Sequence, residues 1–385
     1  MSKDATMVRP EIFILRKELH AHPELSGLEH STKKRIQKFV AEHGPSAQIQ
    51  NLGETGFAVI YEFAEKGKTI AIRCELDALP ILETNTFSHK SQTNGVSHKC
   101  GHDGHMAIVS GLLFWLESRP NLHGKVVLLF QPAEETGKGA ENIVTNETFK
   151  ALNIDYLFAL HNIPKEPLHS IILPSKGFSA EVISLIIALK GKESHASEPE
   201  NGINPALALS QIIQDMEPLN VTDPKKKEFS LLTPVHILMG EKAYGISPAD
   251  AELHYTLRTW NNKQMELLKT NVLDIVQRIC AQYGLEHAVE WLEYFPASSN
   301  APECCTAIKE AAKEHNLTFV EKPHPFKFGE DFGWYAKTYK CAMFGLGAGI
   351  HTPALHNADY DFPDEIIETG IALFISIIRN LLNQD

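Results

Sequence analysis

The sequence predicts an α/β protein: a layered catalytic domain around a mostly parallel central sheet, interrupted by an inserted α+β domain with an antiparallel sheet. Three observations carry this expectation. Through the first 178 residues, short apolar runs bounded by Gly, Pro or polar clusters alternate with helical patterns, as buried strands of a layered sheet do. Beyond that point the pattern turns to period two, as in Ala251-Glu252-Leu253-His254-Tyr255-Thr256-Leu257-Arg258-Thr259-Trp260, the mark of a sheet with one wet face. After Pro296 the buried-strand texture returns. The expected domains are therefore residues 1–178 with 292–385, and residues 179–291 inserted between them. A chain of 385 residues suits two domains, because single cores stop growing at ~250–300 residues.

Ile12, Leu15 and Leu19, then Ile36, Phe39 and Val40, stand at helical spacing and predict two amphipathic helices around a polar turn at 22–26. Strands are predicted at 68–73, 125–130 and 155–160, with Val109, Leu112, Leu113 and Leu116 marking a helix among them. The inserted domain adds helical stretches at 205–216 and 263–283. A buried strand at 340–345 and a helix apolar at Ile366, Leu373, Phe374, Ile377 and Leu381 follow.

Composition narrows the function. Hydrophobic content of 43% with 22% charged residues is that of a folded globular chain. A net charge of −12 argues against a nucleic-acid partner, since such binding rests on Lys and Arg neutralising phosphates. The run Lys225-Lys226-Lys227 after Pro224 reads as a solvated turn. The N-terminus lacks the apolar core of a secretory signal, and no apolar run has membrane-spanning length, so a cytoplasmic location without a membrane partner is expected. Six cysteines without framework spacing should be thiols or metal ligands. Cys304-Cys305 reads as a helix-start pair with one member buried.

The chemistry centres on His98-Lys99-Cys100-Gly101-His102-Asp103-Gly104-His105, a thiol and imidazoles at a turn that opens a helix. Cys-x-His alone is a weak metal signal. Partners follow the predicted strands: Gln131-Pro132-Ala133-Glu134-Glu135 after one, His161-Asn162 after the next, and Leu355-His356-Asn357 after a late strand and its Gly-rich loop. Each alone has a bland explanation; together they describe a site on the rim of an α/β sheet. A cysteine nucleophile at Cys100 is a competing reading. No Gly-x-Ser-x-Gly elbow and no His-Glu-x-x-His helix occurs.

Taken in order, residues 16–26 (RKELHAHPELS), 76–81 (LDALPI), 100–105 (CGHDGH), 131–135 (QPAEE), 160–164 (LHNIP), 329–332 (GEDF) and 355–357 (LHN) resemble the dinuclear metallopeptidase family that contains hippurate hydrolase, auxin-conjugate amidohydrolases and N-acetyldiaminopimelate deacetylase. The match is to the branch with a cysteine metal ligand, and it spans nearly the whole chain. The resemblance implies that Cys100, His102, Glu135, His161 and His356 bind two divalent metal ions, with Cys100 bridging and Glu134 as general base. Zn²⁺ suits the mixed S, N and O donors best, with Mn²⁺, Co²⁺ or Ni²⁺ as alternatives. Two cations sharing a water lower its pKa and polarise the scissile carbonyl, and an adjacent carboxylate that is not a ligand can move the proton. Asp77 reads as a residue orienting a ligand, or alternatively as a turn-stabilising aspartate.

By the same resemblance His195, in a segment running from Gly191 to Ser197, stabilises the oxyanion from the other subunit of a homodimer or on domain closure. Arg258 would bind a substrate carboxylate, which a guanidinium grips at both oxygens; its alternative is a surface strand charge. The chain departs from the family pattern at Gly245, where Asn is usual, at Glu75 for Asp, at Lys99 for a small residue and at Glu200 for His. The function implied is hydrolysis of N-acyl amino acids or related small amide conjugates through a metal-bridged water. The alternatives are a catalytically weak or inactive binding protein on the same fold, or an aminoacylase or dipeptidase-like activity.

Overall fold

The run Thr69–Glu75 is buried along its whole length, and Lys125–Gln131 and Tyr156–Ile163 are buried from their second residue onward. Strands without alternation need cover on both faces, and that requirement organises the first part of the molecule. The computed structural model describes residues 9–63, 66–118, 122–174 and 177–382. These form two compact units: one of residues up to Phe178 with Ser298–Pro323 and everything from Asp331 on, the other of Ser179–Ala297 with His324–Glu330.

The first unit contributes β1 (Gln48–Leu52), β2 (Gly56–Glu62), β3 (Thr69–Glu75), β4 (Lys125–Gln131), β5 (Tyr156–Ile163) and β6 (Ile171–Pro174). The second carries β7 (Glu181–Lys190), β8 (Ser194–His195), β9 (Ser230–Met239), β10 (Ile246–Ser247), β11 (Asp250–Thr259) and β12 (Glu286–Phe295). The chain then returns with β13 (Phe319–Lys322) and β14 (Lys340–Gly347).

Among the described residues, the sheet of the first unit runs β1-β2-β4-β3-β5-β14-β6-β13. Its centre is parallel, β3 pairing with β4 and β5 and β14 with β5, while β1–β2, β2–β4 and β14–β6 are antiparallel. The helix His102–Glu117 packs on the sheet and is apolar nearly all round, as a helix covered on every side must be. The helix Ile366–Leu382 crosses it closely, because a side chain at Gly111 would meet Ile371 and one at Gly370 would meet Ile108.

In the second unit the sheet runs β12-β7-β11-β9, antiparallel throughout. β11 alternates as its sequence predicts. Helices Ala206–Met216 and Asn262–Tyr283 cover its apolar face through Ala208, Ile212, Met265, Leu268, Val272 and Val276. Asn261 caps the second helix by accepting the Gln264 N–H, and Gly284 ends it in the left-handed region. The expected boundary at residue 292 falls inside β12, whose polar, alternating residues pair with β7, so the second unit extends to Ala297. His324–Glu330 also joins it, through the Ala180 N–H donated to the Phe326 carbonyl at 2.9 Å. No helix among the described residues is long and apolar enough to cross a membrane.

Candidate metal centre

The five ligands expected from the sequence, and Glu134, lie in the first unit, at or beyond the C-terminal ends of its parallel strands, where open α/β sheets place their sites. Asp77 follows β3, Glu134 and Glu135 follow β4, and His356 lies in the loop between β14 and the helix Ile366–Leu382. His161 sits within β5 rather than after it, because the strand continues to Ile163. Cys100 and His102 flank Gly101 at the start of the helix His102–Glu117. Gly101 has φ of 100°, and a Cβ there would stand 2.5 Å from the Asn162 amide oxygen, so only glycine lets the loop pass so near β5.

The turn after β4 is built with equal constraint. Ala133 takes φ of 53° and donates its N–H to the buried Glu29 carboxylate at 2.8 Å. Gly139 lies against the Pro132 carbonyl with no room for a side chain. Glu135 donates its backbone N–H to the Asp77 carboxylate at 2.9 Å. His356 has φ of 65°, and its N–H bonds the Lys99 carbonyl at 2.8 Å.

Cys100, His102 and His161 bring their ligand atoms within 4.8 Å of one another, and so do Cys100, Glu135 and His356; the two groups share Cys100. A third group of the same compactness contains His102, Glu134 and Glu135. Individual separations are 3.4 Å for Cys100 Sγ to His161 Nε2, 3.9 Å for His102 Nε2 to Glu135 and 3.8 Å for His356 Nε2 to Glu135. Donors on one tetrahedral ion with bonds of ~2.0–2.3 Å lie ~3.3–3.8 Å apart, so the Cys100–His161 and His356–Glu135 separations each fit donors on one cation. Glu134 is buried, 3.8 Å from His102 Nε2.

The histidine tautomers point the same way. His102 Nδ1 lies 2.8 Å from the Asp77 backbone carbonyl and His161 Nδ1 lies 2.9 Å from the Asn162 carbonyl. A carbonyl only accepts, so each Nδ1 carries the hydrogen and each Nε2 presents a lone pair toward Cys100 and the glutamates. His102 Nε2 is buried without a hydrogen-bond partner among the described residues, a costly state unless a cation or proton completes it. Burial would lower the His102 pKa, but the Asp77 carboxylate and Glu135 raise it to about 9. Burial would likewise raise Asp77, yet His102, Ser26 and the Glu135 N–H hold it at about 2. The carboxylates thus favour positive charge at His102, while burial and the His102 charge lower the His356 pKa.

Buried charge around these donors escaped the sequence reading. Arg73 is fully enclosed and bonds Gln131 at 2.9 Å, Asp331 at 2.8 Å and, more closely still, Glu75. His105 completes the motif but lies 2.6 Å from Glu75 through Nδ1 and 2.6 Å from Asn162 through Nε2, so both ring nitrogens are already engaged, although Glu75, His102 and His105 also bring ligand atoms within 4.8 Å of one another. Asp103 ties His20 at 2.7 Å and Arg16 at 3.0 Å. Nothing in spacing distinguishes such residues from surface charges; the signal was only that they stand inside apolar stretches.

In the second unit, His195 is exposed on β8, which pairs with β10, and its Nδ1 lies 2.6 Å from Ser197 Oγ. Arg258 stands on β11 and donates to the Lys327 carbonyl at 2.8 Å. Cys304 is buried and Cys305 half-buried at the start of the helix Pro302–Glu314, as the sequence indicated.

Fold and donor set together define a metal-binding hydrolase scaffold, and comparison with known proteins fixes its class. Residues 71–380 match the model of peptidase family M20/M25/M40, and the chain belongs to that family. It is similar to an uncharacterized hydrolase of Staphylococcus haemolyticus, 30% identical, with 89% of this chain and 91% of that protein covered. It is also similar to the N-acetyl-L-cysteine deacetylase of Bacillus subtilis, 32% identical over 83% of this chain and 76% of that protein. Among solved structures, a dinuclear metal-binding M20 peptidase from Bacillus subtilis superposes with a TM-score of 0.83 at 27% identity, covering 97% of this chain and 98% of its own. The protein is thus a hydrolase of the M20 family.

Proposed function

We propose that this hydrolase cleaves the amide bond of N-acyl amino acids or closely related small amide conjugates, using two divalent metal ions held by Cys100, His102, Glu135, His161 and His356. The observation that carries the reading is the pair of donor groups joined at Cys100, with the buried carboxylate of Glu134 beside them. When bound, the ions supply Lewis-acid polarisation of the scissile carbonyl and make water a competent nucleophile near neutral pH. Zn²⁺ matches the S, N and O donors, and Mn²⁺, Co²⁺ or Ni²⁺ could serve.

Glu134 takes a proton from the attacking water and delivers it to the leaving nitrogen as the C–N bond breaks, giving a carboxylic acid and a free amine. The Asp331 N–H, 3.4 Å from one Glu134 oxygen, helps aim the carboxylate. Asp77 orients the cluster from behind, through its carbonyl to His102 and its carboxylate to Glu135. His195 stabilises the oxyanion, and Arg258 binds the carboxylate of the amino-acid portion. The similarity to a deacetylase of an N-acetylated amino acid supports the substrate class.

The second unit serves as a lid and dimerisation domain. Its edge strand β9 leaves Val235, Ile237, Leu238 and Met239 exposed by 39–57%, and an unpaired apolar edge invites strand pairing with a second copy. The reading is tested by assaying the metal-loaded protein on N-acyl amino acids beside matched N-acyl amines that lack the carboxylate. Cleavage confined to the carboxylate-bearing members is expected; no cleavage of any member favours a binding protein on the same fold.

A further inference from the structure

Lys99 stands next to Cys100 yet is fully buried, which is rare for lysine unless its charge is partnered. Its ammonium donates to the Glu83 carboxylate at 2.5 Å, to the Asn85 side-chain oxygen at 2.9 Å and to the Tyr360 carbonyl at 2.7 Å. All three donor positions are thereby used. Its own carbonyl accepts the His356 N–H at 2.8 Å. Main chain and side chain of one residue therefore grip both ends of the segment 356–360, while the next residue along is Cys100.

The grip extends further. Tyr360 is buried, and its hydroxyl accepts the Asn162 side-chain N–H, placing it one residue from His161. Thr84 donates its N–H to the Ala358 carbonyl at 3.1 Å, and Asn85 its side-chain N–H to the Asp359 carbonyl at 3.0 Å. Glu83 is itself anchored, 3.0 Å from His20 and accepting the Ser91 N–H at 2.6 Å. His356 has its side chain half exposed and a left-handed backbone, so of the five candidate ligands it depends most on how its loop is fastened.

We infer that Lys99 is a positioning residue that fastens the His356 loop to the Cys100 turn, and so sets the affinity of the ion held by Cys100, Glu135 and His356. The inference rests on the metal reading above. His102 and His161 are held by the helix His102–Glu117 and by β5 rather than by the His356 loop, so the ion in their group should tolerate loss of Lys99.

The test is stepwise metal removal from the zinc-loaded full chain by a competing chelator, with metal per chain as the readout. It compares wild type, Lys99→Met, and the double variant Lys99→Met with Glu83→Gln, which avoids leaving a buried carboxylate unpaired. Thermal unfolding of the metal-free proteins checks that each folds. The expected result is a double variant that folds and holds one ion as wild type does but releases the other ~10–100-fold more readily, the usual effect of losing an outer partner of a ligand. Wild-type retention of both ions in a folded double variant overturns the role of Lys99 and leaves the metal reading standing. A wild type that never takes up a second ion overturns both.

Discussion

The Asp77 carbonyl accepts the Nδ1–H of His102 at 2.8 Å, and the Asp77 carboxylate accepts the Glu135 N–H at 2.9 Å. One residue after β3 thus fixes the tautomer of one candidate ligand and the turn that carries another. Asp77→Asn keeps the carbonyl contact and removes the charge. It should leave the fold intact and weaken metal binding by ~10–100-fold, read by chelator competition. Unchanged affinity would remove Asp77 from the account.

Glu134 and Glu135 are neighbours with different expected duties. Glu134→Gln should retain metal while turnover falls by ~10²–10⁴-fold, the usual worth of a general base. Glu135→Ala should lose metal as well as turnover. Metal analysis beside steady-state kinetics separates the two, and equal metal loss in both variants would show that Glu134 is a ligand instead.

Acid stability should depend on Glu83. Burial would raise its pKa, but His20, Lys99 and the Ser91 N–H hold it at about 2, below the usual 4.5. A carboxylate depressed on folding contributes stability that is present above the unfolded pKa and lost as pH falls through the folded one. Urea midpoints of the metal-free protein should therefore drop between pH 4.5 and pH 2, and Glu83→Gln should flatten that slope. Parallel slopes for the two proteins would contradict the assignment.

Replacing Val235 and Ile237 together by lysine charges the exposed edge of β9, a device that blocks strand pairing. Sedimentation should show a dimer for wild type and a monomer for the double variant, with metal content unchanged. A monomeric wild type would remove dimerisation from the second unit.

Much of this arrangement was legible in the sequence, for reasons that can be named. Helices His30–His43 and Asn262–Tyr283 and strand β11 announce themselves by period, because each buries one face. The ligand candidates were legible because a Cys-x-His turn opens a helix, a Glu pair and two histidines accompany apolar strands, and the ordered motifs resemble a known family. Strand order was not: β4 lies between β2 and β3, a choice made by long-range packing that leaves no local mark. Nor was the burial of Arg73, Glu75, Lys99 and Asp103, since charged residues read as surface until their partners, 258 positions apart for Arg73 and Asp331, are brought together. The boundary expected at residue 292 lies inside β12, which continues to Phe295 along the edge of β7, a long-range pairing that leaves no local mark.

The most direct measurement is release of free amine from an N-acyl amino acid by the chelator-stripped chain as a divalent metal is titrated back. A dinuclear metal hydrolase gives no release when stripped and a rise that reaches its plateau at two ions per chain. Hydrolysis that survives stripping, or none at two ions per chain, would contradict that reading.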